Sequence, residues 1–186
     1  MNEAIENIIV TLPPHKQLLF GTCCLKRIEN HLYKFLEDRS EKSASIAVSA
    51  LTDVLFLGCL LDNFASIGTM FTEEEQTFID SLIPDTDVDG SKGAVFAQNA
   101  AIALAYCIRF AKEHNSDFIN YCGLKLLETV DVMGFDTKEK GQSDRLVWQE
   151  IAVQQKIVKL VDAMSDNFDE ADLEALKETI RLLAVG

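Results

Sequence analysis

No run of about 18 uncharged apolar residues occurs in this 186-residue chain, which argues against a membrane-spanning helix. Alternating apolar and polar stretches bounded by turn signals are missing as well, so no β-sheet is expected. The opening MNEAIENIIV is acidic and amphipathic, unlike the basic and then apolar start of a secretory leader, so cytoplasm is the expected location. The three histidines, His15, His31 and His114, form no HExxH or HxxxH pair and are expected at the surface. Glutamate followed three residues on by histidine, the metal motif of helical bundles, does not occur either. GxSxG and Walker-type loops are absent too. No metal site and no cofactor are therefore expected, and no residue stands out as catalytic; a site assembled only in the fold has no local signature.

Five cysteines are present, Cys23, Cys24, Cys59, Cys107 and Cys122, all in apolar surroundings and without CxxC or zinc-like spacing. They read as small hydrophobes kept reduced. A bridge between Cys23 and Cys24 is disfavoured, because adjacent residues on a helix point about 100° apart. For a chain of 20.7 kDa, folding should leave roughly 9,000 Å² of surface out of about 30,000 Å² for the open chain. That suits a single domain over residues 1–186.

Basic residues are scarce where acids crowd. Glu73 to Asp89 holds seven acids and no base, and Asp162 to Glu178 holds seven acids against Lys177 alone. These two segments account for the whole formal charge of −13, the rest of the chain being neutral. Acidic patches repel phosphate backbones, so nucleic acid is not an expected partner.

Helical periodicity recurs from end to end. Ile5, Ile8, Ile9 and Leu12 mark a short first helix ended by Pro13 and Pro14, which suit the first turn of a second helix from His15 to about Asp38. A break near Glu29 to His31 is expected in it. A third helix is read from about Ser43 to Phe64, with Ile46, Val54, Leu57 and Leu61 among its inward residues, and Gly68 as the end of any continuation. Thr72 and Glu75 form a capping box for a short helix stopping before Pro84. The most informative stretch follows. IPDTDVDGSKG launches AVFAQNAAIALAYCIRF, a helix apolar nearly all round, which must lie at the centre of a bundle. Asn115 or Ser116 can cap the next helix, Asp117 to Val132. Met133 to Asp144 is the longest polar connection and the expected mobile loop. Helices from Arg145 to Met164 and from Asp169 to Val185 complete the set. The expected fold is all-α: a single-domain bundle of about seven to nine helices around a central apolar helix at about 92–113.

Four segments together resemble the YjaG-like family of bacterial proteins (domain of unknown function, family 416). Gln17-Leu18-Leu19-Phe20-Gly21-Thr22-Cys23-Cys24-Leu25-Lys26-Arg27-Ile28, followed by Tyr33 and Phe35, resembles the family's opening helix. Ile83-Pro84-Asp85-Thr86-Asp87 is similar to its central turn, and Ala97-Gln98-Asn99-Ala100-Ala101-Ile102-Ala103-Leu104 to the helix that follows. Glu150-Ile151-Ala152-Val153-Gln154 is similar to its late helix. The likeness spans about Leu12 to Ala163, with departures at Lys26, Asn99 and Ile151, where relatives tend to carry glutamate, aspartate and tryptophan. It implies an all-helical fold and carries no reaction with it.

Two sets of residues remain as candidate binding sites. Asp85-x-Asp87-x-Asp89-Gly90 matches the first six positions of a calcium-binding loop, but the position for the bidentate glutamate is Phe96 and the apolar eighth position is Lys92. A turn that caps the central helix is the simpler reading. Gln98, Asn99 and Asp53 are polar residues within apolar helical stretches, and they could line a pocket inside the bundle together with Arg27 and Gln154, or belong to a satisfied structural network or a helix face that reaches the surface. Three functions fit these features. The first is an acidic module that recognises a protein with a basic surface through Glu73 to Asp89 or the final helix; the second is a small-molecule-binding protein or enzyme with a polar pocket; the third is an immunity-type inhibitor of a basic toxin. Composition does not decide the oligomeric state, and a homodimer is among the open outcomes.

Overall fold

The computed structural model describes residues 3–135 and 141–185. Among them are α1 (Glu3–Ile9), α2 (Pro14–Asp38), α3 (Lys42–Gly58), a 3-10 segment (Phe64–Met70), α4 (Glu73–Ser81), α5 (Lys92–Glu113), α6 (Ser116–Phe135), α7 (Gln142–Ala163) and α8 (Glu170–Arg181), with no strand among the described residues. The helix starts follow local chemistry. Pro14 opens α2, where a missing N–H costs nothing. Thr72 Oγ1 accepts the Glu75 N–H while the Glu75 carboxylate accepts the Thr72 N–H, closing a capping box on α4. Asp169 and Asp172 form a second box on α8.

α5 is enclosed as its composition demands. Ala97, Ala100, Ala101, Ala103, Leu104, Cys107 and Phe110 are wholly out of solvent. It packs against α2, α3, α4, α6 and the 3-10 segment, while α2 packs against α3, α5, α6, α7 and α8, so two helices share the centre where one was expected. By length and composition α5 could cross a membrane, but its apolar surface is taken up by helix packing. The buried apolar side chains form one cluster, and the chain exposes 9339 Å².

Several boundaries differ from expectation for identifiable reasons. α2 runs unbroken through Glu29 to His31, where the buried Glu29 carboxylate finds Lys26 and Tyr33 and the His31 ring packs 5.0 Å from that of Phe96. α3 stops at Gly58, where a Cβ would lie 2.3 Å from Ile67 Cδ1, and the 3-10 segment runs on past Gly68 to Met70. Ile46 is 71% exposed and Leu57 is 48% exposed, against their expected inward placement. α3 packs mainly on α2, so one neighbour cannot cover its broad apolar stripe. α6 continues to Phe135 and α7 begins at Gln142, which shortens the expected connection from both ends; residues 136–140 of it lie outside the described residues. α8 ends at Arg181, short of Val185. His15 and His31 are half-buried, against the surface expectation, and only His114 is exposed.

Candidate functional site

The strongest polar cluster lies where α2, α6 and α7 meet. Arg27 on α2 faces Glu150 on α7 through two parallel N–H donors, one at 2.7 Å and the other a shorter contact from Nη1 to Oε1. Both residues are buried, at 3% and 4% exposure. A paired fork of this kind is what allows two charges to leave water together. Arg27 Nε donates to the Leu183 carbonyl at 2.7 Å, and the Val185 N–H donates to the Arg27 carbonyl at 2.9 Å, so the segment after α8 is tied to the same arginine. Gln154, one turn on from Glu150, donates to Glu150 Oε1 at 3.2 Å and to the Gly123 carbonyl of α6 at 3.0 Å. Its own Oε1 is buried and has no hydrogen-bond partner among the described residues.

Arg27 and Gln154 are thus brought together as expected, but by Glu150, which sequence reasoning missed as a site residue. The signal was available: a buried arginine requires a counter-ion, and Glu150 sits four residues before Gln154 on the same helical face. Asn99 stands apart, donating to Thr129 Oγ1 at 3.2 Å, while Thr129 donates to the Lys125 carbonyl. Gln98 reaches the Pro84 carbonyl at 2.8 Å, and Asp53 is on a solvent-facing side of α3. Four cavities of about 460, 390, 360 and 210 Å³ are lined by none of Arg27, Asn99, Glu150 and Gln154. Arg27, Glu150 and Gln154 form a structural tie, Asn99 is paired apart from it, and Asp53 lies on a helix face that reaches the surface.

The acidic turn is built to start α5. Asp85 Oδ1 accepts the Asp87 N–H at 3.0 Å, Asp89 Oδ1 accepts the Ser91 N–H at 3.1 Å, and Ser91 Oγ accepts the Ala94 N–H at 3.1 Å. Hydrogen bonds from Ser91, with the Arg39 guanidinium 2.7 Å from Asp89 Oδ2, hold the Asp89 carboxyl below its ordinary range. Asp85 and Asp87 remain exposed on either side of Thr86, and Val88 beside them is 84% exposed. Among the described residues no three histidine, cysteine, aspartate or glutamate side chains converge as metal ligands.

A second buried carboxylate was also missed. Glu29, 2% exposed, pairs with Lys26 and accepts a hydrogen bond from Tyr33 at 2.9 Å. Burial and the adjacent Glu29 charge push the Tyr33 phenol up. All five cysteines are free and buried, with Cys107 and Cys122 sulfurs 3.6 Å apart, well beyond bonding distance. Burial raises the thiols of Cys23, Cys24, Cys59 and Cys122. Such thiols are poor nucleophiles.

The whole backbone is similar to the crystal structure of a DUF416 family protein from Shewanella baltica OS155, with a TM-score of 0.77 and 13% identity over 97% of this chain and 95% of that one. No family model matches the chain, and no curated protein matches it. At that identity the likeness is one of fold.

Proposed function

We propose that this is a bacterial, cytoplasmic member of the DUF416 family that acts as a binding module, recognising a partner protein with a basic surface through the acidic turn Asp85 to Asp89. Family membership is supported by the end-to-end similarity of fold together with the four resembling segments. The reduced, buried cysteines favour the cytoplasm. One observation carries the binding reading: Val88 projects from a turn whose neighbours Asp85 and Asp87 face solvent, while Arg39 is already paired with Asp89. An apolar tip flanked by unneutralised carboxylates is complementary to a lysine- or arginine-rimmed hollow.

The test is capture from a bacterial lysate on the wild-type chain and on a D85K/D87K variant, followed by identification and purification of the retained protein. The reading holds if a basic protein binds the purified wild type, is released by raised salt, and is lost from the variant. Equal capture by both chains, capture insensitive to salt, or self-association alone would overturn it.

A further inference from the structure

Two surface hollows share Leu160. One, of about 390 Å³, is lined by Ala152, Gln155, Lys156, Lys159 and Leu160 of α7; the other, of about 210 Å³, lies between Leu160 and Met164 on one side and Asp172, Ala175, Leu176 and Thr179 of α8 on the other. Ala152, Lys156, Leu160 and Met164 recur at every fourth residue, so they form one ridge, about 18 Å long at 1.5 Å per residue. The groove along that ridge has room for about three turns of a further helix. Leu160 is 38% exposed, Met164 and Thr179 are half-buried and Ala175 is exposed, so the described residues cover its floor only in part.

The charge along the groove divides by helix. On α8, Glu174 pairs with Lys177, Glu178 pairs with Arg181, and Asp172 serves the helix cap. On α7, Lys156 and Lys159 are exposed and form no ion pair among the described residues. From Ala152 to Met164 the sequence holds one acid, Asp162, which projects about 160° away from Leu160 around the helix. Glu150, the acid before them, is buried in its pair with Arg27. At physiological salt, charges beyond about 8 Å are screened. The two lysines, and not the net charge of −13, therefore set the field on the α7 side of the groove.

The 360 Å³ cavity near His15 has no such single sign, since Asp166 in its lining is already paired with Lys16.

We propose that the groove between α7 and α8 takes an amphipathic helix of a partner protein, its acidic flank meeting Lys156 and Lys159 and its apolar stripe resting on Leu160, Met164 and Leu176. A helix is favoured over a flat acidic surface because the ridge has helical spacing and an apolar floor into which a second ridge interdigitates. This face is opposite in sign to the turn Asp85 to Asp89, which gives the chain two docking faces with opposite preferences. The groove rests on α7 and α8 alone, and its test needs no partner of the turn.

Binding is measured by calorimetry with side-chain-stapled helical peptides of about 14 residues, stapled because unaided helices of that length are marginal in water. The first carries leucines at helical spacing flanked by glutamates; glutamines replace the glutamates in the second, and lysines replace them in the third. The position of each is read from backbone amide shifts of the folded chain. The expected result is one saturable site for the glutamate peptide, with shifts clustered at Leu160, Met164 and Leu176. The glutamine peptide should bind about tenfold more weakly, the scale of two exposed charge pairs. K156E/K159E should lose affinity for the glutamate peptide by at least about tenfold and gain the lysine peptide at the same position, a reversal that damage to the fold cannot mimic. No saturable binding, shifts centred elsewhere, equal affinity for the glutamate and glutamine peptides, or no reversal in K156E/K159E would each overturn the proposal. Tighter binding of phosphatidylglycerol vesicles at the same residues would overturn it in favour of a lipid surface, and a dimer of the purified chain that K156E/K159E dissolves would overturn it in favour of a second copy.

Discussion

A single buried ion pair holds four parts of this molecule, and its energetics are asymmetric. Arg27 binds Glu150 on α7 and the Leu183 carbonyl after α8, while Gln154 extends the tie to α6. Removing one charge leaves the other uncompensated in the interior, which costs about 3–5 kcal/mol, whereas replacing both by apolar side chains costs less. E150Q should therefore lower the unfolding free energy in a urea titration by about that amount, and R27M/E150M should be less damaging than E150Q. A double variant as unstable as the sum of its singles would show that the pair is not the tie described. The histidines supply a pH dependence of defined sign. Burial is the main cause holding His15 and His31 below 6.5, reinforced by Lys16 and Lys34 respectively; Asp166 and the Asp166 backbone oppose it at His15, and the Val185 backbone opposes it at His31. The unfolded chain thus takes up protons first as pH falls through about 6.5, so stability is full above that value and declines below it. H31Q should flatten the fall in stability between about pH 7 and pH 5.5, as read from urea midpoints. An unchanged slope would remove His31 from the account.

At the scale of elements, α3 separates what periodicity predicts from what packing decides. Ile46, expected to face inward, is largely exposed, whereas Leu55, on the opposite face of the same helix, is wholly buried. Leu55→Ala should cost about 2–5 kcal/mol, and Ile46→Ser should fall within about 0.5 kcal/mol of wild type in the same denaturation assay. Equal losses would mean that Ile46 is covered in solution. The all-helical class, the enclosed alanine-rich α5, and the caps at Thr72 and Asp169 were legible in the sequence because each rests on local rules of spacing or hydrogen bonding, whereas α5 was expected to be capped by the aspartates of its turn and is capped by Ser91. The exposure of Ile46 and the stop at Gly58 were not legible, because each depends on a distant residue: which helix covers the stripe, and where Ile67 packs. The same distinction applies to the candidate site. Arg27 and Gln154 were recognisable as polar residues in apolar helices, but their union through Glu150 spans 123 residues of sequence, and the groove at Leu160 and Leu176 joins two helices that no motif links.

Over the whole molecule, the two acidic segments look alike in composition and differ in what their charges do. In the later one, Asp166 pairs with Lys16, Glu174 with Lys177, Glu178 with Arg181, and Asp169 and Asp172 serve the cap of α8. In the earlier one, Glu73 pairs with Lys112, Glu75 serves the cap of α4 and Asp89 pairs with Arg39; Glu74 and Asp80 are exposed on α4, and Asp85 and Asp87 are exposed on the turn beside the bare Val88. Unneutralised charge steers association, whereas charge already paired contributes little field beyond its partner. The partner recognised by the proposed module should accordingly arrive more slowly when the early turn is neutralised. In stopped-flow association at low salt, D85N/D87N should reduce the on-rate by roughly tenfold, with a smaller change in the off-rate, and the difference should vanish as the ionic strength rises. D166N/E174Q should leave the on-rate near that of wild type, because those carboxylates already face lysines. Equal slowing by both pairs would assign steering to net charge alone and remove the turn's special role.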